Sequence, residues 1–172
     1  MCYKSRMHTP HSTRIIGLDP GLRFMGWGII ESHGSSLKHI AHGIVKVPSD
    51  QSMAERLSSL YHQLATLLTE YQPDEAAVEE TFVNKNPASA LKLGAARGVI
   101  LLAPANQGLS VAEYSANKIK KSVVGAGHAD KSQVEMMVKT LLPTCKDATK
   151  DSADALAVAI CHAHYRTVPF IA

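Results

Sequence analysis

The sequence predicts an α/β domain with a five-stranded mixed sheet and helices packed on it. Three short apolar segments follow one another near the start of the chain. Their short connections indicate antiparallel neighbours, because a parallel crossover needs a longer connection. Two later strand-like segments are separated by helical segments, which is typical of parallel strands in a layered domain. A length of 172 residues is enough for one domain with its own core.

The elements are predicted in the order β-β-β-α-β-α-β-α-α-α. The strands are expected at residues 14–18, 24–30, 39–47, 75–78 and 109–114. The helices are expected at residues 52–71, 88–102, 115–123, 131–142 and 151–165.

Turn signals separate the first elements. The first strand ends at Asp19-Pro20-Gly21, and residues 32–36 form a turn-like segment before the third strand. Apolar residues then recur at helical spacing from Met53 to Leu68, and Pro73 ends this first helix.

Chain breakers also mark the later elements. Asn86-Pro87 begins a small, alanine-rich helix, and the glycine-rich residues 125–127 separate the third helix from the fourth. The last helix is apolar nearly all round at residues 155–161, which predicts that it is largely buried. His162 and His164 lie at its end, where a cation suits the helix dipole.

Charge is unevenly distributed along the chain. Residues 15–83 contain four basic and nine acidic residues, whereas residues 84–131 contain seven basic and two acidic ones. Carboxylates beside a basic segment suit a protein that binds a polyanion and also holds cations. Scattered solvated charge would give the same composition. The longest apolar run, residues 99–105, is far shorter than the roughly 20 residues of a membrane span, so none is predicted.

The chain is predicted to form one domain over residues 14–166. Residues 1–13 are expected to be a disordered extension, and residues 167–172 a tail. The basic N-terminal segment lacks the apolar stretch of a secretory signal. Cys2, Cys145 and Cys161 form neither a disulfide framework nor a zinc pattern. A cytoplasmic location is therefore expected.

Acidic residues occur where buried elements begin or end. Asp19 ends the first strand, and Glu79 and Glu80 end the fourth. If those strands are adjacent and parallel, Asp19 lies beside one of the two glutamates. Strand alternation sends Glu79 and Glu80 to opposite faces, and spacing does not say which one enters the site. Asp151 and Asp154, at the start of the last helix, share one helical face.

Clustered carboxylates predict a site for hard divalent cations. Oxygen ligands suit Mg²⁺ or Mn²⁺ rather than zinc, and two such ions can support phosphodiester hydrolysis. Each acid also has an ordinary explanation. Asp19 fits a turn before Pro-Gly, and Asp151 fits a helix cap.

Four segments resemble the RuvC family of Holliday junction resolvases, in the ribonuclease H-like superfamily. They are GLDPGLRFMGWG (17–28), EETFVNKNPASALKLGAARG (79–98), KIKKSVVGAGHADKSQV (118–134) and DSADALAVAICH (151–162). The resemblance covers residues 14–165 and implies a ribonuclease H-like sheet with helices on both faces. It also implies a catalytic, metal-binding set of four acids, namely Asp19, Glu79, Asp151 and Asp154, which selects Glu79 over Glu80. Some family members carry histidine where Asp151 stands.

The same resemblance implies DNA-contacting residues. Lys120 and Lys131 correspond to catalytic lysines near the cleaved phosphate, and Phe82 to an aromatic residue at the junction crossover. Both lysines lie in the basic segment, and an exposed aromatic ring can stack on an unpaired base. Solvated lysines and a core phenylalanine are the ordinary alternatives. Further backbone contacts are expected from Lys85, Lys92, Arg97 and Lys121.

As a function, the resemblance implies a magnesium-dependent endonuclease that resolves four-way DNA junctions. It would act as a homodimer, with two Mg²⁺ ions per active site, Mn²⁺ as a substitute and RuvA–RuvB as a partner complex. Paired symmetric cuts would leave 5′-phosphate and 3′-hydroxyl ends.

Three other readings remain open. One is a nuclease of the same fold acting on an RNA–DNA hybrid or structured RNA. Another is an ATPase or sugar kinase, suggested by GLDPG, although one domain lacks room for the two lobes of those enzymes. The third is a junction binder without catalysis, which the four intact acids argue against.

Overall fold

The computed structural model describes residues 12–80 and 86–166. Its strands are β1 (Thr13–Asp19), β2 (Phe24–His33), β3 (Ser36–Lys46), β4 (Glu75–Glu79) and β5 (Ser110–Tyr114). Its helices are α1 (Met53–Tyr71), α2 (Pro87–Asn106), α3 (Ala116–Val124), α4 (Lys131–Leu141) and α5 (Lys150–Tyr165). The described elements thus follow the predicted order.

The five strands form one mixed sheet in the order β3-β2-β1-β4-β5. β1 pairs antiparallel with β2, and β2 with β3. β4 pairs parallel with β1 on one side and with β5 on the other. The predicted sheet, with three antiparallel strands followed by two parallel ones, is confirmed. Because β1 and β4 are adjacent and parallel, their carboxyl ends meet at one edge of the sheet.

Helices cover both faces of the sheet. One apolar cluster contains Ile15 of β1 together with buried side chains of α3, α4 and α5. A second cluster contains Ile16 and Leu18 of β1 together with side chains of α1 and α2. Because side chains alternate along a strand, Asp19 lies on the same face as Ile15. The carboxylate that ends β1 therefore faces α5.

α5 crosses the sheet at close range because glycines line its path. A Cβ atom on Gly17 would collide with the backbone carbonyl of Ala155 and with Ala159. A Cβ on Gly26 would collide with the backbone of Asp151, in the first turn of α5. The buried, alanine-rich character of α5 matches these glycines. This packing brings the start of α5 to the end of β1, since Gly26 pairs with Asp19.

Several predicted boundaries are corrected by one to four residues. β2 runs to His33 and β3 begins at Ser36, so only Gly34 and Ser35 form the turn that was predicted over residues 32–36. Gly34 adopts a positive φ of 59°, which glycine tolerates without strain. α2 continues to Asn106 rather than ending at residue 102. Pro104 lies in its last turn and lacks the backbone N–H that would donate to the carbonyl of Ile100.

The ends of the predicted domain are described only in part. β1 begins at Thr13, one residue before the predicted boundary. The remainder of the predicted extension, residues 1–11, and the predicted tail, residues 167–172, lie outside the described residues.

α2 is long and apolar enough to cross a membrane by length and composition alone. It has 20 residues, and an 18-residue window within it has a mean hydropathy of 1.3. The uninterrupted apolar run within it is shorter, because Lys92 and Arg97 interrupt the helix. Only 22% of that window is buried, although Ala96, Ile100 and Ala103 pack into the core. The outer face of α2 is therefore unusually apolar.

Candidate active site

The site lies at the edge of the sheet where β1 and β4 end and α5 begins. Asp19 is the last residue of β1, Glu79 is the last of β4, and Asp154 lies early in α5. These three carboxylates line a cavity of about 220 Å³ together with Lys120 and Lys131. The rest of its wall is apolar and consists of Ala116, Ile119, Val134 and Ala157. The structure thus brings together three of the four predicted acids and both predicted lysines.

Strand alternation explains why Glu79, and not Glu80, enters the cavity. Ala77 belongs to the apolar cluster beneath α5, and Glu79 lies two residues further along the same strand face. Glu80 is exposed, and its backbone N–H donates to the carbonyl of Tyr114 over 2.9 Å. The face of β4 that α5 covers therefore determines which glutamate joins Asp19.

Burial and the repulsion of neighbouring carboxylates raise the pKa values of Asp19 and Glu79. The pKa of Asp19 rises from 3.8 to about 7, mainly because the group is buried and further because Glu79 and Asp154 are close. Burial also raises the pKa of Glu79, with Asp154 as the second cause, while Lys131 and Lys120 act in the opposite direction. The cavity thus concentrates negative charge that the two lysines only partly balance.

Lys131 is held in the site by two local features. Its ammonium group donates a hydrogen bond of 3.1 Å to the carboxylate of Asp154, which raises the pKa of Lys131. Lys131 is also the first residue of α4, just after the N-cap Asp130, whose carboxylate accepts from the backbone N–H of Gln133. The cap fixes the direction in which α4 begins and so places Lys131 against the cavity.

Asp151 lies at the rim of the cavity. It is not among the residues that line the cavity, and its backbone packs against Gly26. Its charge still contributes to the raised pKa of Asp19, as the weakest of the contributing charges. Asp151 is therefore near the carboxylate cluster without facing the cavity directly.

The donor atoms of the cavity fit a hard divalent cation. Carboxylate oxygens are the only metal-ligating side-chain groups among its described lining residues, and Mg²⁺ and Mn²⁺ prefer such oxygens. A cation would also relieve the repulsion that raises the pKa of Asp19. Within residues 12–80 and 86–166, no three His, Cys, Asp or Glu side chains converge closely enough to hold one ion as they stand. Cation binding would therefore require the carboxylates to turn further inward.

The other predicted DNA contacts lie in different surroundings. Lys92 and Lys121 are exposed on α2 and α3. The guanidinium of Arg97 is engaged by the carboxylate of Glu113, so it is not a free cation on the surface. Phe82 and Lys85 lie outside the described residues.

Sequence reasoning missed a polar network behind the site. The hydroxyl of Tyr114 lies 2.8 Å from Nδ1 of His162, and the carboxylate of Glu75 lies 2.7 Å from Nε2 of the same ring. Arg166 donates two hydrogen bonds to the carboxylate of Glu75. His162 lies in the last turn of α5, as predicted, and its ring is buried in this network. The signal that could have revealed the network is an acid at the start of the apolar strand EAAV, together with a histidine in the apolar helix.

The network links elements that carry two of the acids. Tyr114 is the register partner of Glu79 at the ends of β5 and β4. His162 lies eight residues after Asp154 on α5, which places both on one side of the helix. The hydrogen bonds therefore help to fix β4 and α5 relative to each other.

Comparisons with known proteins agree with this architecture. The family model described as Crossover junction endodeoxyribonuclease RuvC matches residues 15–162. A Crossover junction endodeoxyribonuclease RuvC of Paramagnetospirillum magneticum is 60% identical over 153 residues, covering 89% of this chain and 92% of the relative. The structure of Thermus thermophilus RuvC in complex with Holliday junction substrate has a TM-score of 0.83 and 30% identity, covering 89% of this chain and 94% of that one.

A more distant structure shares the fold alone. The yeast mitochondrial Holliday junction resolvase Ydc2 has a TM-score of 0.63 at 12% identity, covering 91% of this chain and 82% of that one. The mixed sheet with helices on both faces is thus a ribonuclease H-like fold, as expected.

Proposed function

The chain belongs to the RuvC family of crossover junction endodeoxyribonucleases, and we propose that it resolves four-way DNA junctions at the carboxylate cavity. The observation that carries this proposal is the meeting of Asp19, Glu79 and Asp154 with two lysines in one cavity. A protein that only bound DNA would gain nothing from buried carboxylates facing a polyanion. The same arrangement disfavours an inactive junction binder.

Asp19, Glu79 and Asp154 would hold Mg²⁺, and Asp151 would support them from the rim. Bound Mg²⁺ would supply activation of the attacking water and stabilisation of the charge on the leaving 3′-oxygen. Lys120 and Lys131 bring positive charge to the place where a phosphate would enter the cavity. The apolar wall limits competing water around the reacting phosphodiester. Hydrolysis in this arrangement would leave a 5′-phosphate and a 3′-hydroxyl.

Adjacent glutamates offer a matched test of this site. We expect Glu79→Gln to lower junction cleavage by at least about 100-fold, because it removes a charged ligand from the cavity. Glu80→Gln changes the same residue type one position away on the exposed side, and should stay within about 2-fold of the wild type. Gel-shift binding to an uncut junction should remain similar for both variants. Equal loss of cleavage in both variants, or normal cleavage by Glu79→Gln, would place the chemistry elsewhere.

A homodimer is part of the proposal, because a two-fold assembly can present two active sites to the two strands of a four-way junction. The outer face of α2 suits contact with a second copy. Leu91 and Leu102 are 77% and 52% exposed, and Gly94 and Gly98 lie between them with open space where a Cβ atom would stand. Their spacing places all four on one helical stripe. Small residues flanked by leucines allow two such helices to approach closely.

Two further expectations also remain proposals. A branch-migration complex of the RuvA–RuvB type would deliver or hold the junction for cutting. The cytoplasm is the compartment in which such a DNA-processing enzyme would act. Co-purification of the full chain with RuvA and RuvB on junction DNA would test the first of these.

A further inference from the structure

Two histidines of the edge strand β3 share one face because of a bulge. Ile29 of β2 pairs with Ala41, whereas Ile30 pairs with His39, so Ile40 is an extra residue in β3. Residues three apart on a regular strand point to opposite faces. The bulge reverses this relation for His39 and His42. Their rings lie 4.9 Å apart between centroids, on the side of the sheet that α5 covers.

The ring nitrogens of this pair are arranged in an inner and an outer set. Nε2 of His39 and Nδ1 of His42 face each other at 2.8 Å. The outer nitrogens face oxygen atoms, because Nδ1 of His39 lies 3.3 Å from the hydroxyl of Thr144 and Nε2 of His42 lies 3.7 Å from the carboxylate of Asp147. In metal-binding histidines, an outer oxygen accepts a hydrogen bond from the ring and the inner nitrogen holds the ion. Thr144 meets this condition for His39, whereas Asp147 lies near His42 as an ion-pair partner beyond hydrogen-bond distance.

We propose that His39 and His42 bind a divalent transition-metal ion of the zinc type at a site separate from the carboxylate cavity. The ion replaces the single proton that the two inner nitrogens share. The His39 proton then lies on Nδ1, and this N–H donates a hydrogen bond to the hydroxyl oxygen of Thr144. Imidazole nitrogens suit zinc, nickel and copper and bind Mg²⁺ poorly. The metal preference of this site therefore differs from that of the oxygen-lined cavity.

The coordination shell would be completed by solvent. In tetrahedral zinc sites the Zn–N distance is about 2.0–2.1 Å, so the two inner nitrogens must separate by roughly 0.5 Å from their present distance. Asp147 is exposed and lies beside the opposite side of the His42 ring, and buried Cys145 belongs to the core cluster. In the described part of the chain no third ligand is positioned to complete the shell. With only two protein ligands, binding should be weaker and more exchangeable than in a four-ligand structural zinc site.

The site joins two parts of the fold that lead towards the catalytic helix. His39 and His42 lie on β3, whereas Thr144 and Asp147 lie in the segment between α4 and α5. Four residues after Asp147, α5 already contains Asp151. A metal ion that fixes the two imidazole rings, whose outer nitrogens face Thr144 and Asp147, would therefore restrain the segment that leads into α5.

Calorimetric titration of the full chain with Zn²⁺, in excess Mg²⁺, tests the proposal. We expect one site that is weakened at least 10-fold by His39→Gln and by His42→Gln. His62→Gln is the matched control, since His62 is exposed on α1 and contacts Ser58 of its own helix. A chain carrying His8→Gln and His11→Gln controls for histidines outside the described residues. Nitrogen-15 NMR should show the ion on Nε2 of His39 and Nδ1 of His42.

A milder variant keeps the test decisive if a histidine variant fails to fold. Thr144→Val retains both imidazoles but removes an outer partner, and should weaken Zn²⁺ binding about 10-fold. The Tm of the wild type should rise by about 5 °C when free Zn²⁺ exceeds its Kd about 100-fold. Absence of binding at 100 μM Zn²⁺ would overturn the proposal. So would equal binding by the wild type and the His39 and His42 variants. Because the readout is metal uptake, neither result depends on whether the chain cuts junctions.

Discussion

Asp19 lies where the end of β1, the side chain of Glu79 and the first turns of α5 meet. Burial and the neighbouring carboxylates raise its pKa to about 7. An aspartate in the unfolded chain keeps its ordinary pKa of about 4. Between these two values the folded state binds more protons than the unfolded state. The stability of the metal-free protein should therefore fall as the pH rises from about 4 to 7.

Asp19→Asn should remove this pH dependence. From pH 5 to pH 8, in the presence of a chelator, the wild type should lose about 2 kcal/mol of unfolding free energy relative to the variant. Urea unfolding at the two pH values measures the difference. Parallel pH dependences for the two proteins would show that Asp19 titrates normally and is not crowded by other carboxylates.

At the level of residues, the sequence predicted which types of side chain form the site but not all of their orientations. Alternation alone left Glu79 and Glu80 equivalent, because the choice depends on which sheet face α5 covers. The family resemblance selected Glu79, and the structure places that residue in the cavity. The partners of His162, Glu75 and Tyr114, were not predicted because they are distant in sequence. A hydrogen bond between residues distant in sequence produces no local sequence pattern from which it could be predicted.

At the level of elements, the approach of α5 to the sheet depends on Gly17. A side chain at this position would meet the backbone of Ala155, which cannot move without shifting α5. Gly17→Ala should therefore cost about 1–3 kcal/mol of unfolding free energy. Gly127→Ala is the control, because its Cβ would meet only a carbonyl oxygen at 3.7 Å, and its effect should be within about 0.5 kcal/mol. Urea unfolding compares the two, and equal stabilities would contradict the close packing of α5.

The order and type of the elements could be predicted because each has a strong local signal. Apolar periodicity marked α1, and the turn at Asp19-Pro20-Gly21 marked the end of β1. The element boundaries were predicted less accurately where a residue that usually ends an element lies inside it, as Pro104 does near the end of α2. The bulge at Ile40 could not be foreseen, since it is set by pairing with β2 rather than by residue type.

At the level of the whole molecule, the outer stripe of α2 predicts how two chains associate. Leu102→Glu places a charge on the proposed contact stripe, at the end opposite Leu91, and should convert the proposed dimer to a monomer in sedimentation experiments. Met136→Glu is the matched control, since Met136 is 61% exposed on α4, away from this stripe. The control should remain dimeric. A wild type that is monomeric at micromolar concentration, or a dimeric Leu102→Glu variant, would contradict the proposed interface.

The most direct measurement compares cleavage of a labelled immobile four-way junction with cleavage of a linear duplex of matching sequence. Each substrate is incubated with Mg²⁺ and, separately, with a chelator. We expect paired nicks at symmetric positions on the junction, only when Mg²⁺ is present, and an intact duplex. Equal cutting of the duplex would contradict junction selectivity. Binding of several junction sequences without any cut, with Mg²⁺ or with Mn²⁺, would contradict the proposed role of the carboxylate cavity.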